Sequence, residues 1–270
     1  MKIFAIRSDS VKPVKDVAYL IYYEKSKKFY VEIPDDANEW EIPLVLSSCL
    51  KKGEKTVNSY YSELWVQQRI VPPDRQNLGQ ILKENNLESY DEFELLTLSK
   101  GRCSQDDYYL VSVKADKLPK DFEARFSRRI EDVIPLKNNF LLVFFRNGEV
   151  KKCDITEFIE KNNCKGILSK YENFSTVQIL TDGHGIAFGS LFSISSEKLY
   201  SIGVSVALTA EDFRCFASNR VISVSEACKI LGCSRQNIND LIKRGKLNPI
   251  SSDGESIMLM KNEVLERKRK

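Results

Sequence analysis

The chain has one histidine, three methionines and two tryptophans in 270 residues, and its seven cysteines never stand as Cys-x-x-Cys. With His184 as the only histidine, a mixed Cys/His zinc site would need distant cysteines to converge, so no metal site is expected and the thiols read as reduced side chains. Long apolar runs are missing too. The strongest candidate is the six residues Phe140 to Phe145, far short of the eighteen or more of a spanning helix, so no membrane segment is expected. The opening MKIFAIRSDSVK has a lysine but no extended apolar stretch behind it, which argues against a secretory signal and for a cytoplasmic address. Neither a glycine-rich phosphate loop nor a His-Arg-Asp stretch occurs, and this excludes the familiar phosphoryl-transfer machinery. Asp35-Asp36 and Asp106-Asp107 are adjacent carboxylates of the kind that most often lie solvated in turns, and Gly183-His184-Gly185 reads as a hairpin turn rather than a catalytic loop. No catalytic residue and no cofactor is therefore expected, and the chain does not read as an enzyme.

What is present is an ordinary globular composition, 42% hydrophobic and 29% charged. The formal net charge of +3 gains meaning when it is divided. Residues 220–270 carry 11 basic and 6 acidic side chains, a net +5, against −2 for everything before them. A basic end on a neutral-to-acidic body suits phosphate binding by that end.

The expected fold class is α+β: a mixed N-terminal domain over residues 1–125, a small β-rich domain over 126–219, and a winged helix-turn-helix over 220–270. In the first, Lys2 to Ile6, Val17 to Tyr23 and Lys28 to Ile33 are rich in β-branched and aromatic residues and predict a short antiparallel sheet. Pro43 opens a helix running to Lys52, with Gly53 beyond it. Val57, Tyr61, Leu64 and Trp65 suggest a second helix, and Leu78, Ile81 and Leu82 follow. Ser89 with Glu92 reads as a capping box before Phe93 to Leu98, and Asp107 to Val113 returns to a strand. Arg69, Arg75 and Arg102 read as surface partners of nearby acids.

In the middle region Phe140 to Phe145 and Val150 to Asp154 flank Asn147-Gly148, a pair suited to the two positive φ angles of a type I′ turn. Asp154 opens a short helix. Phe174, Val177 and Ile179 predict a strand, Asp182-Gly183 a turn, and Ile186 to Phe188 the return strand. Ser205 to Ser218 predicts a helix with Val206, Leu208 and Phe213 inward.

The segment Ser223 to Lys246 states a function most directly. Ser223 and Glu226 form a capping box, and Val224, Ala227, Ile230 and Leu231 share one face. Gly232 and Cys233 break the period, Ser234 offers a second N-cap, Ile238, Leu241 and Ile242 recur at helical spacing, and Gly245 ends the run. Two capped amphipathic helices around a tight turn describe a helix-turn-helix, whose second helix enters the DNA major groove. Leu247 to Ile250 and Ser256 to Met260 are expected to pair as a wing across Ser251 to Gly254, with Lys261 to Lys270 as a closing helix. The bland alternative is an interaction hairpin of two helices. On a helical wheel the outward face carries Gln236, Asp240 and Lys243, flanked by Asn239 and Arg244. The expected DNA-contacting residues are Ser234, Arg235, Gln236, Asn237, Asn239, Lys243, Arg244, Lys246 and Lys261. Asp240 is repelled by phosphate, which shifts the reading surface toward the first turn and the wing.

Three resemblances accompany these readings. Glu226-Ala227, Leu231-Gly232, Ser234-Arg235-Gln236, Ile238, Gly245-Lys246 and Asn262-Glu263-Val264 make residues 221–265 resemble the winged helix-turn-helix of the MerR and excisionase class. Asn147-Gly148-Glu149, Asp154, Phe174, Val177, Gly185 and Glu197 to Tyr200 resemble domain-of-unknown-function family 2442, which implies a regulatory context. Arg69 to Arg75, Ile81-Leu82, Leu87, Tyr90-Asp91, Gly101-Arg102 and Gln105-Asp106 resemble the N-terminal part of HipA-type proteins, which implies docking rather than phosphoryl transfer.

The sequence therefore predicts a cytoplasmic, sequence-specific double-stranded-DNA-binding regulator, dimeric through residues 1–217. The alternative is an adaptor or antitoxin-like subunit whose residues 1–125 capture a protein partner.

Overall fold

A strand buried on both faces, Ala18 to Tyr23, organises the first part of the chain. In a computed structural model, which describes residues 1–207, 209–251 and 257–268, strands β1 (Lys2–Ser8), β2 (Ala18–Tyr23) and β3 (Lys28–Glu32) are followed by helix α1 (Leu44–Lys51), strand β4 (Thr56–Val57), helices α2 (Ser59–Gln67), α3 (Leu78–Glu84) and α4 (Glu92–Ser99), strand β5 (Tyr108–Ser112) and helix α5 (Lys120–Ser127). The strands form one antiparallel sheet in the order β4-β3-β2-β1-β5. All six residues of β2 are buried. Leu20 and Tyr22 face a cluster with Leu46, Trp65, Leu95 and Leu96 of the helices, whereas Tyr19, Ile21 and Tyr23 face Phe122 of α5, as the period of two requires.

Some local expectations change. Asp91, not Ser89, caps α4, accepting from the N–H groups of Phe93 and Glu94 at 3.0 and 3.2 Å. Asp91 stands immediately before the helix, whereas Ser89 lies too far upstream. Val57 belongs to β4 instead of opening α2. Arg69 is buried rather than solvated, paired with Asp106 and laid over the Trp65 ring. Arg102 pairs with Asp9 at 2.8 Å, while Arg75 donates to Asn77 rather than to an acid.

The middle of the chain contains β6 (Ile130–Pro135), β7 (Phe140–Phe145), β8 (Val150–Asp154), α6 (Thr156–Lys161), α7 (Lys165–Leu168), α8 (Tyr171–Phe174), β9 (Gln178–Ile179), β10 (Gly185–Ala187), β11 (Ser193–Ser195) and α9 (Ser196–Ile202). β6, β7 and β8 are neighbours in one sheet, and β9 to β11 form another. The turn between β7 and β8 is not type I′, because Gly148 has φ of 83° while Asn147 is not left-handed. A four-residue connection needs only one such position. Phe174 ends a helix rather than starting a strand, its ring buried with Phe188 in the core of this region. A lone aromatic serves either element equally well.

A buried polar network joins β2 and β3 to the middle region. Glu32, 1% exposed, accepts from Arg125 at 3.1 Å, from Arg129 at 3.3 Å and from the Thr56 hydroxyl at 2.8 Å. Arg129 also donates to the Tyr23 hydroxyl at 2.7 Å and to Asp182. Arg146 reaches Asp182 at 2.7 Å. Burial raises the Glu32 carboxyl above its ordinary value, and the two guanidiniums offset this.

His184 completes the network. It is 5% exposed, its Nε2 lies 3.0 Å from the Tyr23 hydroxyl, and its ring stacks on Tyr30 at 3.7 Å. Burial, and then the charges of Arg129 and Arg146, hold the imidazole well below its ordinary value, so the folded ring is neutral. Unfolded histidine titrates near about 6.5. Below that pH the unfolded state binds one more proton, so acidification removes stability by up to roughly 1.4 kcal/mol per pH unit until the folded ring itself titrates. Urea unfolding at about pH 7.5 and about pH 5.5 checks this. The loss expected for the parent chain shrinks in His184→Gln.

The chain's contacts gather into two compact units, residues 1–147 with 152–204, and residues 205–270 with the segment 148–151. Following β12 (Val204–Val206), the C-terminal part contains α10 (Ala210–Arg220), β13 (Val221–Ser223), α11 (Val224–Leu231), α12 (Arg235–Lys243), β14 (Pro249–Ser251), β15 (Met258–Met260) and α13 (Lys261–Lys268). The helix expected from Ser205 thus begins later, capped by Thr209 in a reciprocal box with Asp212. Phe213 is 38% exposed rather than fully inward, and Leu208 lies outside the described residues. Among the described residues no helix is long and apolar enough to cross a membrane.

Candidate nucleic-acid interface

The C-terminal helices owe their limits to local chemistry. Ser223 Oγ accepts from the Glu226 N–H at 3.3 Å, and the Glu226 carboxylate accepts from the Ser223 N–H at 2.9 Å. These bonds hold the Glu226 carboxyl below its ordinary range. At the other end of α11, Gly232 has φ of 65° and Cys233 N–H donates to the Cys228 carbonyl at 3.2 Å. The left-handed position is one glycine occupies without a Cβ clash. Ser234 then starts α12, accepting from Asn237 N–H at 3.3 Å. Past its end, Lys246 N–H closes on the Leu241 carbonyl at 2.8 Å.

Both helices bury one stripe. Ile222, Val224, Ala227, Ile238, Leu247, Leu259 and Val264 form the core, with Leu231, Leu241 and Ile242 packed around it. β15 pairs antiparallel with β14, as expected for the wing strands, and also with β13. The third strand was not foreseen, because Val221 to Ser223 is too short to announce a strand and its partner lies at Met258 to Met260. Asn248 anchors the start of the hairpin to α13, its backbone and side-chain N–H groups donating to the Glu263 carboxylate at 3.1 and 2.7 Å. The expected tip, Ser252 to Gly254, and Ser256, Arg269 and Lys270 lie outside the described residues.

The predicted contact residues fall into three groups. Ser234, Arg235, Gln236 and Asn237 lie exposed together at the start of α12, where helix N–H groups and the positive dipole end also point. Ser234 is already engaged as the cap. Lys243, Arg244 and Lys246 are exposed at the opposite end, roughly 12 Å along the axis at 1.5 Å per residue. Asn239 and Asp240 lie between and are half-buried. Among the described residues Asp240 forms no ion pair. Lys261 stands apart from both groups. It begins α13, and its charge is felt by Glu226 at the start of α11.

One residue was missed. Ser225 Oγ accepts from Arg235 Nη2 at 3.4 Å, so the first helix helps orient the first side chain of the second. No spacing in the sequence signals this, since it arises from the crossing of α11 and α12.

Compared with protein-family models, with curated proteins and with solved structures, the chain matches none of them.

Proposed function

We propose that the C-terminal module is a winged helix-turn-helix that binds double-stranded DNA, inserting α12 into the major groove, and that the protein is a transcription regulator. The observation that carries this reading is the exposed first turn of α12. Arg235, Gln236 and Asn237 stand there together on a helix fixed by Ser234 and by the buried Ile238. Arginine forks match guanine O6 and N7, and amides match adenine N6 and N7. Lys243, Arg244, Lys246 and Lys261 supply phosphate contacts, supported by the net +5 of residues 220–270. Asp240 confines base reading to the start of the helix. Two modules acting as a dimer would read paired half-sites.

If about four to six phosphates are neutralised, log K against log salt falls with a slope of roughly −4 to −5. A fluorescence-anisotropy titration across salt concentrations checks this. Affinity that ignores salt would contradict the proposed mode.

A second reading, capture of a protein partner by residues 1–125, is favoured by Trp40 and Leu44, which are 82% and 86% exposed. Large apolar side chains so open to water suit a contact surface.

A further inference from the structure

The unit formed by residues 1–147 and 152–204 contains a cleft of about 560 Å³, within the size range of small-ligand sites. Its walls are two sheet edges. β4 ends the five-stranded sheet, β11 ends a three-stranded one, and both line the cleft.

The register decides where their backbone groups point. Ile33 N–H bonds to the Lys55 carbonyl at 2.8 Å, so Lys55 turns toward β3 and Thr56 presents its N–H and C=O at the open edge. On the other wall, Phe188 N–H bonds to Phe192 and Ser196 N–H to His184. Ile194 therefore faces β10, and the backbone groups of Ser193 and the N–H of Ser195 face away from it, the Ser195 carbonyl being taken up by the first turn of α9. Unpaired strand edges are templates for another extended chain.

The charges of the cleft have both signs. Lys52 and Lys198 line it, as do Glu54 and Glu197, and among the described residues none of the four forms an ion pair. Burial pushes the half-buried Glu197 carboxyl up, against the opposing charges of Arg125 and Arg128, neither of which pairs with it directly. His184 and Tyr30, stacked on each other, line the same space. With Nε2 engaged by Tyr23, Nδ1 is the ring nitrogen left for a ligand.

We propose that this cleft binds a short peptide in extended form, whose backbone adds to the open edges at Thr56 and at Ser193 and Ser195, and whose free amino and carboxyl ends meet Glu197 and Lys198. A simple anion would satisfy the lysines and leave the carboxyls facing it. A zwitterionic chain answers both signs and uses the edges. The site stands independently of the DNA-binding reading.

The test is equilibrium dialysis of the full chain against an equimolar pool of tripeptides with free ends, beside the same pool acetylated and amidated, read by mass spectrometry. Free-ended peptides are expected to be retained, and the blocked pool about tenfold less. Glu197→Gln and Lys198→Gln should each lower retention by about tenfold. Lys198 is exposed, so its variant keeps the fold, and a thermal melt matching the parent verifies this for both. The proposal is overturned if no tripeptide is retained, if the blocked pool is held equally well, or if both variants bind like the parent.

Discussion

Replacing Arg235 and Gln236 together by alanine is expected to lower affinity for a specific duplex by at least about thirtyfold, since each good base contact contributes roughly 1–3 kcal/mol. Both side chains are exposed, so the fold has little reason to change. The contact Arg235 makes with Ser225, at 3.4 Å, is long and solvent-exposed, and losing it should cost little. Anisotropy with a labelled duplex measures the affinity, and circular dichroism melting verifies the fold. The two readings of the protein separate in the same experiment. If a protein partner is still captured while DNA binding disappears, residues 1–125 and the C-terminal module work independently. If the double variant binds DNA like the parent, the first turn of α12 is not the reading surface.

The second large effect concerns stability. Glu32→Ala is expected to destabilise the unit by roughly 3–5 kcal/mol, because it leaves Arg125 and Arg129 buried without the carboxylate both contact. Arg125 and Arg129 are 8% and 3% exposed. They retain Asp121 and Asp182, yet each loses the acid that lies between them. Glu32→Gln keeps the shape and one acceptor oxygen, so its loss should be smaller. Thermal melting checks the order, with the midpoint falling most for alanine and by several degrees or more. A pair of melts superimposed on the parent would mean that the network contributes nothing net to folding.

These two cases differ in how far sequence could anticipate them. The C-terminal caps were legible because their partners are three residues apart: Ser223 with Glu226, and Ser234 with Asn237. Gly232 and Gly245 were legible because a break in helical periodicity beside a glycine has few other meanings. The sheet strands were legible from the β-branched and aromatic residues of Lys2 to Ile6, Val17 to Tyr23 and Lys28 to Ile33. The Arg125, Glu32 and Arg129 network was not, since Glu32 sits at the end of a strand where a charged residue is ordinarily solvated. The burial of His184 was not legible for the same reason. Gly183 does take a positive φ of 76°, as a turn requires, but the histidine beside it is enclosed by Tyr23 and Tyr30 from the far end of the chain. Long-range burial leaves no mark on local spacing. The third strand at Val221 to Ser223 and the role of Ser225 were hidden in the same way.

Selection of duplexes from a random pool by the full chain, with sequencing of the retained fraction, tests the central claim most directly. The account predicts enrichment of a shared motif, arranged as two half-sites about 10 base pairs apart, with guanine methylation at N7 interfering within each half-site where Arg235 reads the major groove. A retained fraction indistinguishable from the input pool, at salt low enough to favour phosphate contacts, would contradict it.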